Sequence, residues 1–545
     1  MSYPPNGQPA PPPGHGGPAG GGFGPPPPQG YGPPAPQGYP GPQGYQGHPA
    51  GPAYTPGYGQ PPVPPRRTGR GAKVAAFGAA GVLGLGLLGG GAVFAYSKVN
   101  GSGPQPEEAL PGNAIAFAKV DLDPSADQKI DAYRFLRKFP DAKDAVGNPA
   151  DDADLRKVIF EGIQKEGGLE GLSYDSDVEP WLGDRFGVAM LAGGEGEQPT
   201  GVVALAVTDT DKAKAGLAKA TGAEGGYCSV GDAFAICGQD QAVVDKAVND
   251  AASGSLADSA NFADDMKALG EDGLMTAWVD GDAASKIAGA AMMGGGGSTG
   301  QSSGRVAMAL RFDGPTLELA GTASGQQAGM LSDDDVSVDS LPSDATGVLS
   351  VRGLGPAVKT MWGDLEKQAK GVVGDDQWQS GLDEARTATG LSLPDDLAAL
   401  LGDDTSVVMG GPAADGVPKI ALRSNGEKAK ADTLVSTLSG QAGSPLPLVT
   451  KDGSDGTYVL ATEGGYASHV ATGSGLGDSD AFTDAVPDAD DANAVAYVDI
   501  EQVVAQYGQD MDDEAKRNLG GLKAFGMSAS SDGDRSDFRV RLTTR

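Results

Sequence analysis

LPGNAIAFAKVDL at residues 110–122 and LPSDATGVLSVRGL at 341–354 decide how this chain is read. Each begins with Leu-Pro and runs into a short apolar stretch of strand character. They lie 231 residues apart, and further matches follow in the same order. Leu182-Gly183-Asp184 with Val188 and Met190 matches Leu401-Gly402-Asp403 with Val407 and Met409 at an offset of 219. KAKA at 212–215 matches KAKA at 428–431. Ser259, Phe262 and Asp264 match Ser479, Phe482 and Asp484, and Val279-Asp280 matches Val498-Asp499. Met308 and the turn Asp313-Gly314 match Met527 and Asp532-Gly533. Collinear matches point to an internal duplication, with one copy over 105–330 and the other over 331–545.

Within a copy, the pattern predicts a strand at 114–121, an amphipathic helix at 128–139 and a second helix at 154–166 with Asp154 as N-cap. Strands follow at 185–192 and 201–208, then a helix at 210–220, a hairpin at 226–238 and a helix at 240–250. A strand at 274–280, a short helix and a hairpin across Asp313-Gly314 complete it. The expected class is α+β: two tandem pseudo-repeats of antiparallel hairpin sheets, each with helices packed on one face. Residues 291–304 read as a flexible Gly/Ser insertion peculiar to the first copy.

The remaining chain lies ahead of the repeats. Residues 1–70 are rich in Pro, Gly, Gln and Tyr, with PQGY at 28–31, 36–39 and 42–45. Such a segment buries too little apolar area to offset its ordering entropy and is expected to be a disordered tail. Val74 to Tyr96 follow without a charge, 23 residues, enough to cross a hydrocarbon core as a helix. Arg66, Arg67, Arg70 and Lys73 precede that span, so the tail is expected in the cytoplasm and the C-terminal region outside. Cleavage as a signal peptide is disfavoured by the long region before the span. Small residues at Ala76, Ala80, Gly84, Gly86 and Gly90 would allow close helix approach and a dimer through the span, but a generally Gly/Ala-rich composition accounts for them more simply. Gly84 to Gly89 spells G-x-G-x-x-G, but inside a membrane span it lacks the strand–turn–helix setting of a nucleotide site.

Of the 545 residues, 40 are Lys or Arg and 72 are Asp or Glu, a net charge of −32. No acid precedes Glu107, so residues 74–545 hold 36 bases and 72 acids, a net of −36. That balance argues against nucleic acid as a partner. Cys228 and Cys237 are the only cysteines, and YCSVGDAFAIC places them opposite each other in a hairpin. In an oxidising compartment a cross-strand disulfide is expected, with Val459 taken as the matching position in the second copy. His469, in GGYASHVATG, is the only histidine beyond the tail and is placed at a strand end. Gly296 to Gly300 fits G-x-S-x-G, but without a strand before it and a helix after it. Acidic clusters at 333–335, 175–179, 488–491 and 532–537 read as solvated turns, and none completes a calcium loop. Asp280 and Asp499 each end a strand and read as helix N-caps. No catalytic residue, cofactor site or metal site is assigned, and the chain is expected not to be an enzyme.

LPxxAxAFxxVDLDPS (110–125), PWLGDRFGVAM (180–190) and the late F…AxVD segments resemble the bacterial family catalogued as domain of unknown function 3352. The likeness covers about 105–545, and the tail plus single span is similar to membrane proteins common in actinobacteria. It implies a membrane-anchored envelope protein and carries no activity with it. The expected function is thus a non-catalytic binding or structural role in the cell envelope, toward a protein, cell-wall or lipid ligand. Two alternatives stand beside it. A carboxylate-dependent hydrolase needs two converging acids, one with a raised pKa. A carrier of an apolar molecule predicts a large apolar cavity between sheet and helices.

Overall fold

The computed structural model describes residues 103–545 apart from 123–124, 140–153, 166–168, 170, 194–198, 222–226, 271–272, 282–303, 326–331, 333, 414–417 and 443–446. The tail, the span Val74–Tyr96, its four preceding bases and the Gly/Ser loop at 291–304 apart from Gly304 lie outside the described residues. Among the described residues, no helix is long and apolar enough to cross a membrane.

Among the described residues, eight strands come from each half: β1 (Ala114–Asp121), β2 (Leu182–Leu191), β3 (Thr200–Val207), β4 (Tyr227–Val230), β5 (Phe234–Gly238), β6 (Met275–Asp280), β7 (Arg305–Asp313) and β8 (Thr316–Ser324), then β9 (Gly347–Arg352), β10 (Asp404–Pro412), β11 (Pro418–Ser424), β12 (Val449–Asp452), β13 (Tyr458–Ala461), β14 (Ala494–Asp499), β15 (Leu522–Asp532) and β16 (Arg535–Thr544). All sixteen belong to one antiparallel sheet, ordered β12-β13-β11-β10-β9-β14-β15-β16-β8-β7-β6-β1-β2-β3-β5-β4. From either edge inward, the strands of a half run fourth, fifth, third, second, first, sixth, seventh, eighth. The halves join through β8 and β16, paired from Leu317↔Leu542 to Ser324↔Arg535.

Between the strands lie helices α1 (Pro106–Ala109), α2 (Ala126–Leu136), α3 (Leu155–Lys165), α4 (Thr210–Thr221), α5 (Gln241–Ser253) and α6 (Ala260–Leu269) in the first half. The second half has α7 (Leu354–Val373), α8 (Asp375–Thr389), α9 (Asp395–Leu401), α10 (Lys428–Ala442), α11 (Gly464–Ala471), α12 (Asp480–Ala485), α13 (Ile500–Tyr507) and α14 (Asp513–Leu519). The predicted helices start and stop for local reasons. Asp240 caps α5 by accepting from Val243 N, and Asp499 caps α13 by accepting from Gln502 N. Asp154 accepts from Arg156 N at the start of α3.

One face of the sheet, face A, carries the two main cores. In the first half Phe117, Phe262 and Trp278 meet edge to face with centroids 5.5 Å apart, and in the second Phe482 and Tyr497 do so at 5.2 Å. The Leu-Pro starts are pinned alike: Leu256 N donates to Leu110 O at 2.7 Å, and Leu476 N to Leu341 O at 3.1 Å. All four leucines are fully buried.

The expectation of helices on one face only is corrected. On the opposite face, face B, α4 places Ala213 and Leu217 against Val207 and Ala235. Helix α2 sets Phe135 and Leu136 on Phe312, with Leu317 and Leu542 beside them. Helices α9 and α10 set Leu400 and Ala431 on Tyr458. Strand residues pointing to face B are themselves apolar, so both faces need cover.

Candidate functional site

Face B has an unusual composition. One row of cross-strand partners runs from edge to edge: Val230, Ala235, Leu205, Phe186, Val120, Met275, Leu310, Leu319, Val540, Met527, Ala496, Leu349, Val407, Leu422, Leu460 and Thr450. Every member but the last is apolar. An antiparallel sheet with one wet face alternates apolar and polar side chains along each strand. This row breaks that rule across the whole sheet.

Helices cover the row at its ends, over β3–β5–β4 and over β11–β13. Between them, in the second half, face B is open in part, beside helix α13, whose Gln506 lies next to Gly411 of β10. Leu349 is 50 % exposed, Met409 and Ile420 41 %, Met527 38 % and Val498 37 %. These five are neighbours by register. Ala496 lies between Leu349 and Met527, Met409 pairs with Ile420, and Gly347 lies between Met409 and Val498. The patch spans five strands, about 20 Å at the usual interstrand spacing. A single exposed leucine means nothing, but a contiguous apolar patch of this kind marks an interaction site. Two of the five are methionines, whose flexible thioethers adapt to irregular apolar partners. The first half is not equipped alike: Ala118, 93 % buried, stands where the second half has Leu349, and Gly201 where it has Ile420.

The polar candidates resolve differently. Cys228 and Cys237 form the expected disulfide and face each other in the β4–β5 pair. Their second-half counterparts by register are Thr450 and Leu460, not Val459, which points to face A. His469 sits on α11, not at a strand end, and its Nε2 is 2.7 Å from Asp344 Oδ1. Tyr466, Ala467, Val470 and Ala471 of that helix point inward, a helical period that the short segment disguised. Asp499 is the N-cap expected of it; Asp280 ends β6, and residues 282–303 after it lie outside the described residues. Two of the four clusters form surface ion pairs: Lys157 with Asp175 and Lys219 with Asp177 in 175–179, and Arg539 with Asp488 in 488–491. Among the described residues, no group of three or more His, Cys, Asp or Glu is arranged to hold a metal ion. The Gly296–Gly300 motif lies outside the described residues.

A cavity of about 520 Å³ opens on face A at the junction of the halves. Its lining includes Asp313, Thr316, Thr483, Asp484, Arg539 and Arg541, so it is polar, not the apolar chamber expected of a carrier. Among the described residues, the carboxylates whose ionisation the fold perturbs are all held low. Burial works against the Asp154 carboxylate, but hydrogen bonds from Arg156 and Tyr174 outweigh it. Lys219 holds Asp177 down, Lys212 holds Asp209, Ser255 holds Asp258 and Lys430 holds Asp396. Comparison with family models, with curated proteins and with solved structures found no match for this chain.

Proposed function

We propose that this is a non-catalytic envelope protein, anchored by the span 74–96 with residues 98–545 outside the cell, and built on a duplicated module whose second copy binds an apolar ligand. The open patch on face B carries this reading. Shared strand order in the two halves and the matched pinning of Leu110 and Leu341 support the duplication. The family resemblance carried by residues 110–125 and 180–190 supports the envelope setting. The ligand lies on the open sheet face, not in a chamber beneath the helices. The hydrolase reading has less support, because a general acid needs a raised carboxylate pKa and the perturbed acids are lowered.

Net charge narrows the ligand. A body at −36 repels anionic surfaces and other copies of itself, which favours an uncharged apolar molecule. The test uses the full chain in amphipol and the neutral fluorescent probe N-phenyl-1-naphthylamine. Saturable binding that is lost in Leu349→Asp is the expected result. Binding that is non-saturable, or equal in the variant, would refute the reading.

A further inference from the structure

Helix α7 starts two residues after β9 ends, and β9 carries Leu349, the most exposed residue of the patch. Its root is fixed. Gly355 N donates to Gly402 O at 2.7 Å, and a Cβ on Gly355 would fall 2.4 Å from that oxygen and 2.6 Å from Ala398 O. Beyond the root, only Ala357 joins Gly355 as a buried residue in a helix of twenty. Met361 and Leu365 are each 51 % exposed and Val372 is 86 % exposed. Spaced four and seven apart, they form one apolar stripe. Trp362 instead meets Trp378 of α8, with centroids 5.9 Å apart, and α8 buries no residue at all. The α7–α8 hairpin is thus held by its own tryptophans and by ties near its base, where Lys359 pairs with Asp395 of α9 and Gln441 Nε2 of α10 donates to Thr387 O and Ala388 O, while its far half is the kind of element that opens at low cost. An apolar helix stripe is ordinarily a buried surface.

We infer that the α7 stripe is the movable second wall of the apolar site, closing over the face-B patch with the hydrocarbon chain of a neutral or cationic amphiphile between them. This rests on the binding reading above and adds the wall and the ligand class. A long chain explains why two separate apolar surfaces of the same half are open at once. The charge of −36 over residues 74–545 selects against an anionic head group and against a second copy as occupant.

A neutral monoacylglycerol bearing a diazirine in its acyl chain, photolysed with the full chain in amphipol, tests this by peptide mapping. Adducts are expected both on the strands bearing Leu349, Met409 and Met527 and on residues 354–373, each competed by unlabelled monoacylglycerol. Met361→Ser/Leu365→Ser, changes at exposed positions, is expected to weaken labelling about tenfold, the effect of roughly 1.4 kcal/mol of lost contact. Patch adducts without α7 adducts, and with the double variant unaffected, would overturn the wall while leaving the binding reading intact. Adducts on neither surface, or on α7 alone, would sink both. Equal competition by an anionic fatty acid would overturn the head-group assignment.

Discussion

Glu318 of β8 and Arg541 of β16 form an ion pair 2.7 Å long across the one strand pair that joins the two halves, and both are buried. Arg311 approaches the other Glu318 oxygen at 2.7 Å, and Arg541 also reaches Asp313 at 2.8 Å. A buried charge left without its partner costs more than the pair itself contributes. Glu318→Gln removes the buried carboxylate that Arg311, Arg539 and Arg541 share, leaving the buried Arg541 only Asp313 as an ion-pair partner, and is expected to cost about 3 kcal/mol. Arg541→Met leaves Glu318 with Arg311 and Arg539 and should cost less. Denaturant unfolding of both variants checks this; an unmoved midpoint for Glu318→Gln would show that the seam is held by its backbone ladder alone.

The same seam has an apolar side. Phe538 of β16 pairs with Gly321 of β8 on face B, and a Cβ at Gly321 would lie 2.1 Å from the ring. The glycine is required by this close approach, with no unusual backbone angle involved. Gly321→Val is therefore expected to destabilise by about 2 kcal/mol through overpacking. Phe538→Leu in the same chain should recover part of that loss, and a double-mutant cycle measures the coupling.

Much of the strand pattern was legible because it is local. The 114–121 strand, the Asp313-Gly314 hairpin and the cysteine hairpin all rest on short-range period and turn chemistry. Placing Cys228 opposite Cys237 needed only the turn length. The union of the halves was not legible, because the β8–β16 pairing links residues more than 200 apart and no short-range signal marks it. The covered second face was missed for a different reason. AIAFA in β1 and VVM in β10 show no alternation, and that was the available sign that both faces are apolar. At alternate positions, Val348 and Val408 enter the core of face A while Leu349 and Met409 stand open on face B.

The disulfide closes a short loop, and its effect follows from loop length. Cys228 and Cys237 are nine residues apart, so the entropy removed from the unfolded chain corresponds to about 2.5 kcal/mol. Both sulfurs lie beside Ala235, Val207 and the α4 residues Ala213 and Leu217. Replacing both cysteines with alanine is expected to lower stability by about that amount and to raise hydrogen exchange in α4 and β4 before the rest of the sheet. A reductant titration of the unaltered chain should give the same loss. Equal stability of the two proteins would show that the unfolded chain is already constrained there.

Asp154 gives the fold a pH dependence whose sign can be worked out. Burial alone would raise its pKa, but it accepts from Arg156 at 2.9 Å and 2.8 Å and from the Tyr174 hydroxyl, and these hold it below the ordinary value of 3.8. A carboxylate with a lowered folded pKa stabilises the fold at pH above its unfolded pKa. That contribution fades as the pH falls through the folded value. The side chain is one-quarter exposed, so solvent screening limits the contribution to roughly 1 kcal/mol. Asp154→Asn should therefore be less stable than the unaltered chain near neutrality, with the gap closing as the pH is taken below about 4. Unfolding midpoints of the two proteins across that range measure the gap. A gap that persists undiminished in acid would show that the charge of Asp154 is not what stabilises the fold, since Asn keeps an oxygen that can accept from Arg156 N.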